Sequence, residues 1–163
     1  MLDDARCGVS VVICCYNSAS RLPETLRHMA AQRVDAQLGW EVVLVNNNSA
    51  DDTAAVARQT WSDCSSPAPL RIVEEANPGL SHARQKGIET ARYEFVLLCD
   101  DDNWLNPDYV QLAYAILHGD QRAGILGGRS EAVGERALPD WFEPLQAAYA
   151  VGRQYGYRKN GYV

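Results

Sequence analysis

The sequence predicts an α/β protein with a mostly parallel sheet, helices on both faces, and an incomplete C-terminal end. Three observations predict it. Apolar, β-branched runs alternate with segments of helical period. Each run stops at a cluster of polar residues. The alternation fades after Gly127. Residues 1–128 are expected to form the α/β domain, and residues 129–163 to begin a second region that is cut short.

The elements follow in order. Val9 to Cys15 reads VSVVICC, a continuous apolar run of the kind that forms a strand buried on both faces. Tyr16-Asn17-Ser18 ends it. The spacing of Leu22, Leu26, Met29 and Ala30 predicts a helix opened by Ser20, with Pro23 tolerated in its first turn. Trp40 to Val45 predicts a second strand, stopped by Asn46-Asn47-Asn48-Ser49. Ser49 and Asp52 have capping-box spacing for a helix over Asp51 to Trp61. Cys64 to Pro69 reads as a loop and Leu70 to Val73 as a short third strand. After the turn Asn77-Pro78-Gly79, the residues Leu80, Ala83, Ile88 and Ala91 recur at helical spacing. Phe95 to Cys99 is another apolar run, followed at once by Asp100-Asp101-Asp102-Asn103. Pro107 is expected at the first position of a helix whose apolar face is Val110, Ala113, Tyr114 and Leu117. Ala123 to Leu126 predicts a fifth strand, and Trp141 to Val151 a last helix. Gly152 to Val163 shows no period.

Composition excludes several classes. The formal net charge of −6 opposes a nucleic-acid surface, which needs a basic excess. Five cysteines are an odd number, none in a CxxC pair, and Cys14, Cys15 and Cys99 sit in apolar runs; they read as reduced thiols of a cytoplasmic protein. Met1-Leu2-Asp3-Asp4 is not a signal-peptide start, and no apolar run nears the roughly 20 residues that span a bilayer. A peripheral position at the inner face of the membrane stays compatible with this.

Chemistry is expected at the carboxyl ends of the strands, where open α/β sheets bind ligands. If the strands are parallel, Tyr16-Asn17, Asn46 to Asn48 and Asp100 to Asp102 lie along one edge. The Asp run is the strongest single signal. Adjacent carboxylates repel, and a hard cation with oxygen ligands relieves the repulsion. In an extended chain Asp100 and Asp102 would share a side. A solvated acidic loop would read the same way. Arg84, in the first turns of its helix, suits a phosphate or a surface ion pair. Tyr16 suits a stacked base or the rim of the core.

Together these segments resemble the family-2 glycosyltransferases, whose fold is the Rossmann-like GT-A fold. VSVVICCYNSASRLPETLRHM is similar to the family's opening strand and helix. VVLVNNNSADDT is similar to its second-strand motif, V-D-[DN]-x-S-x-D-x-T. NPGLSHARQKGIETARYEFVLLCDDDNWLNPDYV is similar to its N-x-G-x-x-x-A-R-N-x-G segment running into the D-x-D motif. The resemblance implies that Cys14 and Tyr16 line a base pocket and that Asn47 reads the base edge. It places Arg84 near the nucleotide, and Asp100 and Asp101 on the ribose and sugar side. Asp102, with Asp100, would hold Mn2+ or Mg2+. Two positions depart from the pattern: Asn46 stands where Asp is common and Gln85 where Asn is usual.

The implied reaction is inverting transfer of a sugar from a nucleoside-diphosphate sugar to a hydroxyl of a saccharide, lipid-linked or protein acceptor. The region from residue 129 would be the start of the acceptor side. No residue after Asp108 matches the motif that carries the family's catalytic base; Asp120, Glu131, Glu135, Asp140 and Glu143 lack its context. The chain is therefore expected to stop before its base. Two other readings remain open: a non-catalytic nucleotide-sugar-binding domain of this fold, and a sugar nucleotidyltransferase. The second would carry a Gly-rich basic loop where Cys15-Tyr16-Asn17-Ser18 stands. An unfinished edge also admits pairing with a second copy.

Overall fold

The computed structural model describes residues 7–134 and 136–152. They group into two compact units that divide between Arg122 and Ala123. In the first unit, four strands alternate with helices: β1 (Gly8–Cys15), α1 (Leu22–Ala30), β2 (Gly39–Asn47), α2 (Thr53–Asp63), β3 (Leu70–Glu75), α3 (Leu80–Thr90), β4 (Phe95–Asp100) and α4 (Tyr109–Gly119). The sheet order is β3-β2-β1-β4 and every pairing is parallel.

The side-chain alternation of β1 and β2 builds two cores. Val11, Ile13, Val42 and Leu44 pack with Leu22, Leu26 and Met29 of α1, Ala57 and Trp61 of α2, and Val110 of α4. Val12, Val43 and Val45 pack on the other face against Ala83 of α3. Both faces of the central strands are thus covered, which is why they read as unbroken apolar runs. At the N-terminal end of the sheet, buried Glu41 accepts hydrogen bonds from Ser10 Oγ at 2.9 Å, Arg92 N at 2.9 Å and Arg71 Nη1 at 3.2 Å. A buried carboxylate is tolerated there because it is fully partnered.

Several expected boundaries differ. α1 does not use Ser20 as a cap: Ser18 O takes the first free amides, from Arg21 and Leu22, at 3.1 and 3.0 Å. Pro23 does lie in the first turn. The Ser49/Asp52 capping box does not form. Asp51 Oδ1 accepts from Thr53 N at 3.1 Å, while Ser49 Oγ accepts from Asn17 N at 3.0 Å and so serves the β1 exit. α4 begins at Tyr109, not Pro107; Asn106 Oδ1 accepts from Asp108 N at 3.2 Å and holds the preceding turn.

The second unit carries little regular structure. Ala123 to Leu126 is not a strand, and Ile125 is 94% exposed. Gly124 within and Gly127-Gly128 after this short run disfavour extended pairing, and no partner strand meets it among the described residues. Trp141 to Val151 is not one helix. It forms α5 (Phe142–Leu145) and a 3-10 turn (Gln146–Tyr149) closed by Ala150 at φ 56°. Neither buries a residue, and a helix this short gains no stability without a packed face. The rings of Trp141, Phe142 and Tyr149 cluster, with centroids 5.7 to 6.3 Å apart. Glu135 and the Gly152 to Val163 segment beyond Gly152 lie outside the described residues. No helix among the described residues is long and apolar enough to cross a membrane.

Candidate functional site

The strand order creates a topological switch point. β2 and β3 extend the sheet to one side of β1, and β4 is added on the other. Ligand crevices form outside the carboxyl ends of strands at such a point. The register pairs Cys14 of β1 with Asp100 of β4 there, and Cys15 with Asn46 of β2. All three polar clusters therefore lie on one rim, as the sequence implied.

The rim has two faces, set by strand alternation. Cys14 and Asn47 continue the α3 face begun by Val12 and Val45, and Asp100 continues the face of Val96. On that face Arg84 Nη2 of α3 approaches Asp100 Oδ1 at 3.6 Å, and both side chains are about half exposed. Cys14, paired with Asp100 across the strands, feels both charges. Burial is the main force that raises its thiol pKa, with Asp100 and Asp101 adding to it and Arg84 opposing. The thiol stays protonated near neutrality, an apolar wall and not a thiolate. Tyr16, two residues beyond Cys14, is 58% exposed, an aromatic surface beside the rim.

Asn47 is 5% exposed and its orientation is fixed. Its Nδ2 donates to Glu75 O at 3.0 Å and Asn77 O at 2.6 Å, and its Oδ1 accepts from Gly79 N at 2.8 Å. The amide thus ties the β3–α3 turn to the end of β2. Gly79 needs its φ of 129°, which a side chain would strain. Asn46, on the opposite face, donates from Nδ2 to Glu74 Oε2 at 2.8 Å, and its buried Oδ1 has no partner among the described residues.

The acidic run splits. Asp100 and Asp102 are exposed; Asp101 is buried on the α1 face. Asp101 accepts hydrogen bonds from Ser18 Oγ and, at 2.9 Å, from Arg21 Nε. The structure brings Cys14, Arg84 and Asp100 together on the α3 face, with Asn47 on that face and Tyr16 and Asp102 on the same rim; it turns Asp101 away from them. Sequence reasoning missed Ser18, Arg21, Thr25 and Thr53, which hold the rim. Part of the signal was present: Ser18 follows the end of β1 at once, but the sequence reading took it only as the end of that strand.

The profile of glycosyl transferase family 2 matches residues 10–160. The chain belongs to this family. It is 31% identical over 104 residues to a putative glycosyltransferase, EpsH, of Bacillus subtilis, a match covering 64% of this chain and 28% of EpsH. Among solved structures, S. aureus TarS in complex with UDP superposes with a TM-score of 0.68 at 24% identity, over 82% of this chain and 38% of that one. The mannosyltransferase PcManGT of Pyrobaculum calidifontis, in complex with GDP-Man and Mn2+, superposes with a TM-score of 0.57 at 31% identity, over 66% of this chain and 31% of that one. The fold of this family-2 member is therefore GT-A, and the chain spans about a third of the length of the proteins it matches.

Proposed function

We propose that this chain is the donor-binding part of a glycosyltransferase that moves a sugar, with inversion, from a nucleoside diphosphate to an acceptor hydroxyl, in a divalent-cation-dependent reaction. The observation that carries it is the meeting of Cys14, Arg84 and Asp100 at the β1/β4 switch point of a family-2 chain. Two neighbouring folds support it: one was solved with UDP and the other with GDP-Man and Mn2+.

Tyr16 offers a ring for the base to stack on, and Cys14 is the apolar wall beneath it. Asn47 fixes the turn that sets the height of α3 and borders the base. Arg84 faces the diphosphate from α3, and its planar guanidinium is suited to phosphate oxygens. Among the described residues, no three His, Cys, Asp or Glu side chains form a ready-made ion cage. Mg2+ or Mn2+ is commonly held by one or two carboxylates together with substrate phosphates. The donor set is also right: exposed carboxylate oxygens at Asp100 and Asp102, with the nearby Cys14 thiol kept protonated by burial. Asp102 and Asp100 are the residues that would hold the ion, whose charge would offset that developing on the leaving diphosphate. The acceptor's proton needs a general base, which is assigned to no residue of this chain.

The test is calorimetric titration of UDP, GDP and dTDP with and without Mn2+. The wild-type chain is expected to bind at least one of them more tightly with Mn2+, and Asp102→Ala to lose that Mn2+ dependence. Equal affinity of wild type with and without Mn2+ for all three would remove the cation from the proposal; no affinity at all would remove the donor.

A further inference from the structure

Three adjacent carboxylates at a strand end invite a single role, yet the middle one is built into the protein. The Asp101 side chain is 12% exposed. A carboxylate this buried is tolerated only when charge-paired and hydrogen-bonded. Asp101 is both, through Arg21 Nε at 2.9 Å and Ser18 Oγ. Its main-chain carbonyl also accepts from Thr25 Oγ1 of α1 at 2.9 Å.

The partners of Asp101 are themselves tied to the rest of the rim. Ser18 Oγ accepts from Tyr16 N at 3.1 Å, and Arg21 Nη2 donates to Tyr16 O at 3.2 Å. Ser18 N donates to Thr53 Oγ1 at 2.8 Å, and Thr53 Oγ1 donates to Asp51. Asp51 Oδ2 accepts from Ala19 N at 3.0 Å. One connected set of hydrogen bonds thus runs from the exit of β4, across the exit of β1, to the start of α2. Both main-chain polar groups of Tyr16 are held by the two residues that Asp101 holds. Asn17, the next residue, sits at φ 49°, so this segment is fixed in a conformation it would not favour alone.

We infer that Asp101 is a positioning residue: through Ser18 and Arg21 it fixes the Tyr16 segment relative to Asp100 and Asp102. The inference rests on the reading of that rim as the donor site. Asp101 touches neither donor nor cation. Its buried bonds turn the carboxylates on either side of it outward and hold the aromatic wall at a set distance from them.

The experiment compares Asp101→Ala, Asp101→Asn and Glu41→Gln with wild type. Each is measured for thermal unfolding and for affinity toward UDP and GDP in Mn2+, by calorimetry at a temperature where circular dichroism shows it folded. Glu41→Gln is the control, because Glu41 is a buried, paired carboxylate at the opposite end of the same sheet. Asp101→Ala is expected to weaken nucleotide binding at least about tenfold, because it removes a charge-assisted pair and leaves the segment loose. Asp101→Asn, which keeps an acceptor for Ser18, should regain part of that loss. Glu41→Gln should lower the unfolding temperature and leave affinity unchanged. Should Asp101→Ala not fold, Asp101→Asn and Arg21→Met carry the comparison. Binding by the Asp101 variants within twofold of wild type would overturn the inference, as would an equal loss in Glu41→Gln. A wild-type chain that binds neither nucleotide would bring down the donor site itself, and this inference with it.

Discussion

Cys15 ends β1 with its side chain in the core, 1% exposed. Burial pushes its thiol well above the ordinary value, with the nearby Asp101 charge adding to the shift. The unfolded chain releases this proton at about pH 8.5, whereas the folded chain retains it. The folded state therefore binds more protons above that pH, and stability falls as pH rises. Urea unfolding between pH 7 and 10, taken as round values about that pKa, is expected to show this decline in wild type and a shallower one in Cys15→Ala. Equal slopes would mean that other groups dominate the alkaline range. Residue chemistry also explains which polar residues the sequence made legible. Tyr16, Arg84 and Asp100 stood out as candidates because they follow strand ends or lie in the first turns of a helix, positions that face water in an α/β sheet. Asn47 and Asp101 were less readable, because an amide or a carboxylate serves a ligand and a backbone turn through the same bonds. Only their placed partners tell the two uses apart.

At the scale of an element, α3 shows how closely the scaffold governs the rim. A Cβ at Gly87 would lie 2.3 Å from Val12 Cγ1 and 3.3 Å from Val45 Cγ2, so the helix presses directly on β1 and β2. Val has one preferred rotamer in most settings and cannot swing aside freely. Gly87→Ala is expected to destabilise the fold by about 1–3 kcal/mol of overpacking, less up to about 1 kcal/mol regained from helix propensity. Chemical denaturation measures this directly. Because Arg84 is carried on the same helix, affinity for UDP or GDP should fall as well. A variant as stable as wild type would show that α3 shifts outward without cost. The sequence marked Gly87 only through its place in the family's motif; the close approach that requires glycine is a property of the packed helix and sheet. The capping errors have the same origin. Ser49 has the spacing of a helix cap, but a strand exit arriving from elsewhere in the chain, at Asn17, claims its hydroxyl.

At the scale of the whole molecule, the proposed donor rim belongs to the first unit, and in the sequence reading no residue after Asp108 matches the motif of the family's base. The isolated chain is expected to bind donor nucleotide weakly and to transfer sugar slowly or not at all. Release of UDP or GDP from their sugar conjugates, with and without simple alcohol acceptors, measures this. Transfer at rates typical of enzymes, on the order of 1 per second or faster, would place a working base within these residues. The candidates it would single out include Asp120, which pairs with Arg122 at 3.3 Å, and Glu131, which lies 4.0 Å from Arg129.

The sequence by itself determined the four parallel strands, the helices between them and the edge along which the polar clusters gather. Buried parallel strands must be apolar throughout, and their ends must turn polar where they meet water, so both features are written in local composition. The failures fell where local composition is silent. Ala123 to Leu126 is apolar enough for a strand but meets no partner strand among the described residues, and Trp141 to Val151 has helical residues but buries none of them. The tertiary structure alone decided that β4 lies beside β1, that Asp101 faces inward while its neighbours face out, and that Asn47 holds a turn. Each of these depends on which distant segment supplies the partner, and hydrogen bonds and packing between distant segments leave no periodic trace along the chain.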